Sequence, residues 1–179
     1  MSLINIEIKA RTANADFIRH YLLNHGADFK GIDEQTDTYF NVSNGRLKLR
    51  EGNIEKNLIY YNRPNQEGPK QSDFQLFPAD DSNSLRHILS AALGIKVTVK
   101  KKREIYFIDN IKFHIDSLEG LGNFVEIEAS NKNYEIEVAK LHEQCNYYMN
   151  EFGIEKSDLI NCSYSDMLLE LPVGETMTT

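Results

Sequence analysis

Charged side chains recur on every second residue along five segments of this 179-residue chain. Such positions are suited to bind a polyphosphate together with a divalent metal, because Arg and Lys pair with phosphate oxygens and carboxylates ligate Mg²⁺ or Mn²⁺. With 27 acidic residues against 5 His and 2 Cys, these hard cations are favoured over Zn²⁺ or Cu²⁺. The alternating charged residues are Glu7, Lys9, Arg11, Lys48, Arg50, Lys101, Arg103, His114, Asp116, Glu126 and Glu128.

The spacing of apolar residues predicts the elements that carry these charges. Strict alternation is typical of a half-buried strand, and a period near 3.6 is typical of a helix. Helices are predicted at 14–26, 82–93 and 134–152, with a short helical segment near 165–171. Short turns between most strands favour a curled or closed antiparallel sheet over a parallel one, in an α+β fold. Strands are predicted at 3–11, 35–41, 46–50, 56–63, 73–77, 95–109, 111–118 and 124–129.

The polar faces of these strands allow two interpretations. On any single strand, a polar face is most simply a solvent-exposed face. Because five strands share the pattern, a rolled sheet would collect their charges around one polar interior. Such an interior must satisfy its charges, since burying an unpaired charge is costly. A ligand that complements both signs would do so, and the alternative is an internal network of salt bridges with no ligand. Alternation turns Lys100 and Lys102 away from Lys101 and Arg103, so we expect those two lysines to face solvent.

Composition excludes several classes of protein. The net charge of −7 argues against a general binder of nucleic acid or anionic membranes. No apolar run approaches the roughly 18–20 residues that span a bilayer, and the N-terminus lacks a signal-peptide core. Two cysteines are too few for a disulfide scaffold or a structural zinc site. We therefore expect a cytoplasmic protein with a single domain over residues 1–171 and a flexible tail at 172–179.

Several segments, in order, resemble the motifs of the CYTH domain, the triphosphate tunnel metalloenzyme superfamily. The opening Asn5-Ile6-Glu7-Ile8-Lys9 resembles its E-x-E-x-K strand. The chain also looks similar to the class IV adenylate cyclases, with Ser163-Tyr164-Ser165 near its end. The other matching segments are Gln35-x-Asp37-x-Tyr39-Phe40, Leu49-Arg50-Glu51, Lys101-x-Arg103-x-Ile105-Tyr106-Phe107, and Asp116 followed by Gly120-Leu121-Gly122-x-Phe124-x-Glu126-Ile127-Glu128.

The resemblance implies a fold and a set of roles. The fold would be an eight-stranded antiparallel closed β-tunnel with flanking helices, which binds a triphosphate along its axis. Lys101 and Arg103 would have the catalytic role of offsetting charge that develops on the phosphates. The metal, Mg²⁺ or Mn²⁺, would be held by Glu7, Asp116, Glu126 and Glu128. The phosphates would be bound by Lys9, Arg11, Lys48, Arg50 and Arg63.

The resemblance also implies an activity. The first expectation is conversion of ATP to cyclic AMP and pyrophosphate. The alternatives are hydrolysis of thiamine triphosphate or inorganic tripolyphosphate, and a tunnel that binds a phosphorylated ligand without turnover. The partner would be a small triphosphate, with no nucleic acid or membrane. A homodimer is a further expectation, because the cyclases of this family are often dimers.

Three positions depart from the family pattern. Asn5 stands where the first Glu is expected, so the metal site loses one negative charge. Asn62 is expected at the position of a phosphate-binding lysine, which Arg63 could replace if the strand carried a bulge. The fifth strand lacks the charged residues that the family often carries there. His114 shares a face with Asp116, where a structural role is favoured over that of a base.

Overall fold

The computed structural model describes residues 4–62, 70–132 and 135–171, which form eight strands and four α-helices. Within these ranges, no helix is both long enough and apolar enough to cross a bilayer. The tail at 172–179 lies outside the described residues. The helices are α1 (Ala15–Asn24), α2 (Ser82–Leu93), α3 (Val138–Glu151) and α4 (Tyr164–Glu170). The strands are β1 (Asn5–Arg11), β2 (Asp28–Phe40), β3 (Arg46–Glu51), β4 (Lys56–Asn62), β5 (Lys70–Pro78), β6 (Ile95–Ile108), β7 (Ile111–Leu118) and β8 (Gly122–Ser130).

The sheet closes on itself in the order β1-β5-β4-β3-β2-β6-β7-β8. Every neighbouring pair is antiparallel, including β8 with β1, which completes the ring. The prediction of an α+β fold built on a closed antiparallel tunnel of eight strands is therefore confirmed.

The two elements whose starts differ most from the sequence pattern are β2 and α3. β2 begins at Asp28 rather than at residue 35, and its register against β6 shifts between Phe29 and Gly31. Gly31 has a φ of 121°, a backbone conformation that residues other than glycine rarely adopt. This irregularity interrupts the period of two, so the first half of the strand does not alternate regularly. Helix α3 begins at Val138 rather than at residue 134.

The main hydrophobic core lies outside the barrel, between the strands and two helices. On β1, Ile6 and Ile8 are fully buried against this core, whereas Glu7 and Lys9 line the interior. Helices α1 and α3 cover the core with Leu22 and other apolar side chains. A period of two thus sends the apolar residues outward under the helices and the charged residues inward. Further buried members of this core include Phe113, Ile115, Val125, Ile127, Ala129, Ile18, Leu141 and Cys145.

Candidate active site

The barrel encloses a cavity of about 550 Å³. Of the residues predicted to form the site, Arg11 is exposed and donates from Nη1 to the backbone carbonyl of Leu121 at 2.7 Å. Asp116 is buried but is not part of the cavity lining. Arg63 lies outside the described residues. The predicted residues that do line the cavity are Glu7, Lys9, Lys48, Arg50, Lys101, Arg103, Glu126 and Glu128.

Asp37 on β2 is the centre of a cluster of cations. Its two oxygens accept from Arg50 Nε and Nη2, each at 2.9 Å. Its Oδ2 also accepts from Lys48 Nζ at 3.0 Å and from Lys101 Nζ at 2.9 Å. Arg50 reaches Asp37 because the two residues are direct partners in the β2–β3 register. One buried carboxylate therefore faces three cations, and this wall of the cavity keeps an excess of positive charge.

Burial and these contacts set the protonation of the cluster. Burial alone would raise the pKa of Asp37, but Arg50, Lys101 and Lys48 hold that pKa well below its usual range. Burial lowers the pKa of Lys101 to about 7, although Asp37 opposes this shift. The charge of Lys101 therefore changes near neutral pH, unlike that of an ordinary lysine.

Arg103 on β6 joins a second group of buried charges. Its guanidinium donates to both oxygens of Asp116, at 2.7 and 2.5 Å, and to Glu126 Oε2 at 2.8 Å. Glu126 Oε1 lies 3.1 Å from Lys9 Nζ. The hydroxyl of Tyr164 donates to Asp116 Oδ2 at 2.8 Å. The carboxylate of Asp116 thus holds Arg103 in place from behind the cavity wall.

His114 forms a candidate metal site with Glu126 and Glu128. One ligand atom from each residue lies within 4.8 Å of the others. His114 Nδ1 is 3.1 Å from Glu126 Oε2 and 3.4 Å from Glu128 Oε1. Its Nε2 is buried and has no hydrogen-bond partner among the described residues. Glu7 lies directly opposite Glu128 in the β1–β8 register and also lines the cavity.

The chemistry of this donor set fits a divalent cation. Burial lowers the pKa of His114, so its imidazole is neutral at pH 7 and keeps a lone pair on one nitrogen. Burial would raise the pKa of Glu126, but Arg103 and Lys9 hold it well below its usual range, and the carboxylate stays ionised. Carboxylates of this kind suit Mg²⁺ or Mn²⁺. The imidazole of His114 is a candidate ligand that sequence reasoning did not assign.

The loop between β3 and β4 brings a further carboxylate into the cavity. Glu55 accepts from Arg50 Nη1 at 2.9 Å and from Lys112 Nζ at 2.5 Å, and so links β3 to β7 across the barrel. Asp33 fixes the loop by accepting from the backbone N–H of Glu55 at 3.0 Å. A Cβ at Gly52 would overlap the Asp33 carboxylate, so this close approach requires glycine.

Helix α4 covers one end of the barrel. Ser163 and Asp166 form a capping box at its first turn. Arg46, at the start of β3, donates to Ser163 Oγ at 2.6 Å and to Asp166 Oδ2 at 2.9 Å. Tyr164 packs edge-on against Phe124 with ring centroids 5.0 Å apart. These contacts place the Tyr164 ring beneath the charged interior, with Lys9 Nζ 3.9 Å from the ring centroid.

The register of β4 corrects one expectation from the sequence. Asn57, Ile59 and Tyr61 line the cavity, whereas Asn62 is exposed. The prediction that Asn62 occupies a phosphate-binding position is therefore wrong, because adjacent strand residues face opposite sides. Lys100 and Lys102 are exposed, as the alternation on β6 predicted.

A CYTH domain family model matches residues 3–164 of the chain. The chain belongs to the CYTH family. Its relatives include a protein of Methanocaldococcus jannaschii that bears the name "Putative adenylate cyclase". That protein is 27% identical over 177 residues, which cover 92% of this chain and 98% of its own length.

Solved structures share the CYTH fold of this chain. The PH1012 protein of Pyrococcus horikoshii has a TM-score of 0.78 at 23% identity, covering 90% of this chain and 98% of that chain. A protein of Vibrio parahaemolyticus, described as a putative adenylate cyclase, has a TM-score of 0.76 at 17% identity. Here the coverage is 94% of this chain and 99% of that chain. The CYTH family is metal-dependent and binds triphosphates in its tunnel, which agrees with the charges found inside this barrel.

Two residues of the site, one buried and one partly exposed, received no role from sequence reasoning. Asp37 belongs to the Gln35-x-Asp37-x-Tyr39 pattern. Its position on the same face of β2 as Gln35 and Tyr39 was the signal that could have indicated a role in the site. Glu55 sits in a loop and belongs to no alternating segment, so the sequence carries no signal for it. Only closure of the barrel brings Glu55 to Lys112.

Proposed function

We propose that this protein is a Mg²⁺- or Mn²⁺-dependent enzyme that converts a triphosphate inside the barrel, with cyclisation of ATP to cyclic AMP and pyrophosphate as the first reaction. One observation carries the proposal. Arg103 is one of the cations that would face the phosphates, and its guanidinium donates to Glu126 at 2.8 Å. Glu126 in turn belongs to the candidate metal cluster. A triphosphate and its metal would therefore bind side by side, with charges of both signs already arranged for them.

The residues divide into two roles. The metal would be held by Glu7, Glu126, Glu128 and the imidazole of His114. A divalent ion there would neutralise phosphate charge and lower the pKa of an attacking oxygen. Asp116 would position Arg103 rather than bind metal, because it lies outside the cavity lining and accepts hydrogen bonds from Arg103 and Tyr164.

The cations would bind and orient the phosphates. Asp37 gathers Lys48 and Arg50 of β3 and Lys101 of β6, so oxyanions entering the cavity would meet donors already held in place. Arg103, a fixed cation, would offset charge that develops during transfer. In cyclisation the ribose 3′-hydroxyl of the substrate attacks the α-phosphate and pyrophosphate leaves. In hydrolysis, the alternative, water attacks the terminal phosphate.

Product analysis tests this function. The purified protein is incubated with ATP, thiamine triphosphate or inorganic tripolyphosphate, with Mg²⁺, with Mn²⁺ or with excess EDTA. Cyclic AMP with pyrophosphate identifies a cyclase, and phosphate with a shortened chain identifies a triphosphatase. EDTA should abolish either product. Turnover that persists in EDTA, or binding without any turnover, would contradict the proposal.

A matched pair of variants tests the site itself. Glu126→Gln keeps the shape of the side chain but removes the charge that faces both Arg103 and the metal cluster. We expect a loss of at least about 100-fold in kcat/KM. Glu119→Gln changes an exposed glutamate in the turn before β8 and should leave kcat/KM unchanged. Equal activity of the two variants would overturn the assignment.

A further inference from the structure

Glu55 gives the cavity a negative charge that belongs to the protein itself. Its Oε2 accepts from Arg50 Nη1 at 2.9 Å, and its Oε1 accepts from Lys112 Nζ at 2.5 Å. All three residues line the cavity. Burial alone would raise the pKa of Glu55, but Lys112 and Arg50 hold that pKa below its usual range. The carboxylate therefore stays ionised and neutralises two cations that face the space for the ligand.

Two carboxylates contact Arg50, and they differ in burial. The Asp37 side chain is 1% exposed and accepts from Arg50 through both Nε and Nη2. The Glu55 side chain is 21% exposed and accepts from Arg50 through Nη1. A partly exposed carboxylate can exchange its cations for water at a lower cost than a fully buried one. Glu55 is therefore the carboxylate of the two that an incoming anion can displace.

The loop that carries Glu55 is anchored by contacts other than those of the carboxylate. Asp33 accepts from the backbone N–H groups of Ile54 and Glu55, at 2.8 and 3.0 Å. The side-chain oxygen of Asn53 accepts from the backbone N–H of Glu34 at 2.6 Å. The Glu55 side chain can therefore leave the two cations by rotation about its own bonds, while the backbone of the loop stays in place.

We infer that the Glu55 carboxylate is an internal competitor of the phosphates, which must displace it from Arg50 and Lys112 in order to bind. This inference rests on the proposed function and adds a regulation of the same site. A terminal phosphate carries up to about two negative charges, against one on a carboxylate, so a polyphosphate can displace Glu55. When the ligand leaves, the carboxylate returns to the two cations, and it thereby limits how tightly an anionic product is held.

Calorimetry with inorganic tripolyphosphate tests this competition on two matched variants. Glu55→Gln keeps the size of the side chain and removes its charge. Asp109→Asn makes the same change of charge at an exposed residue that also lines the cavity. Asp109 has a φ of 50°, which asparagine also tolerates, so this control keeps the turn between β6 and β7. Titration in EDTA prevents turnover under the proposed function, and circular dichroism checks that both variants are folded.

We expect Glu55→Gln to bind tripolyphosphate about tenfold more tightly than the unaltered protein, and Asp109→Asn to bind it within about twofold of the unaltered protein. A purely structural role predicts the opposite sign, because loss of a residue that positions Arg50 and Lys112 would weaken binding.

Weaker or unchanged binding by Glu55→Gln therefore overturns the inference. An equal gain in both variants also overturns it, because that gain would be an effect of net charge alone. These outcomes leave the proposed function standing, since product analysis tests it separately. Absence of tripolyphosphate binding in all three proteins would contradict both the inference and the proposed function.

Discussion

Replacing Asp37 by Asn should destabilise the empty protein and strengthen its response to a polyanion. The Asp37 carboxylate is 1% exposed and accepts four charge-assisted hydrogen bonds, two from Arg50 and one each from Lys48 and Lys101. An amide keeps one acceptor but brings an N–H group towards three cations. The variant therefore leaves positive charge buried without its counterion.

The magnitude follows from the loss of a buried partner. Removing one side of a buried ion pair costs about 3–5 kcal/mol, which is a large part of a total stability of about 5–15 kcal/mol. The four hydrogen bonds do not add independently, because they share one acceptor group. Lys101 should limit the loss by releasing its proton, since burial already lowers its pKa to about 7. We therefore expect a decrease of about 3 kcal/mol at pH 7.

Urea unfolding with and without inorganic tripolyphosphate measures both effects. The polyanion should stabilise Asp37→Asn more than the unaltered protein, because it supplies the negative charge that the variant lacks. Asp28→Asn changes an exposed aspartate that pairs with Lys30 at the surface and should cost less than about 0.5 kcal/mol. A loss below about 1 kcal/mol for Asp37→Asn, or equal stabilisation of both proteins by tripolyphosphate, would refute the reasoning.

Three further predictions concern single residues. Above pH 7 the free protein holds Lys101 mostly neutral, so binding of tripolyphosphate should take up a proton and affinity should fall as the pH rises. Calorimetry in buffers of different ionisation enthalpy measures this uptake, and Lys101→Met should remove it. His114→Gln should weaken Mn²⁺ binding by about tenfold in a spin-resonance titration, and unchanged affinity would exclude the imidazole as a ligand. Tyr164→Phe removes the hydroxyl that donates to Asp116 and should lower the free energy of unfolding by about 1.5–3 kcal/mol. An unchanged free energy of unfolding in urea would show that water replaces the lost hydroxyl.

Local patterns in the sequence were sufficient to predict most of the framework. On β1 and β8, alternation correctly separated the outward Ile6 and Val125 from the inward Glu7 and Glu126. This succeeds because the period of a strand is a local property that neighbouring elements do not change. The pattern failed at the start of β2, where the register shift near Gly31 breaks the period.

The partners of the charged side chains were decided by tertiary structure. The sequence places Asp37, Lys101 and Glu55 on separate segments, and nothing local joins them. Closure of the barrel brings Lys101 to Asp37 and carries Glu55 across to Lys112, because both contacts depend on strand register and on barrel closure. Register likewise turned Asn62 outward and gave the cavity positions to Tyr61 and its neighbours. Residue type and alternation thus determined most of the charges that the interior would contain, while strand pairing determined which of them meet.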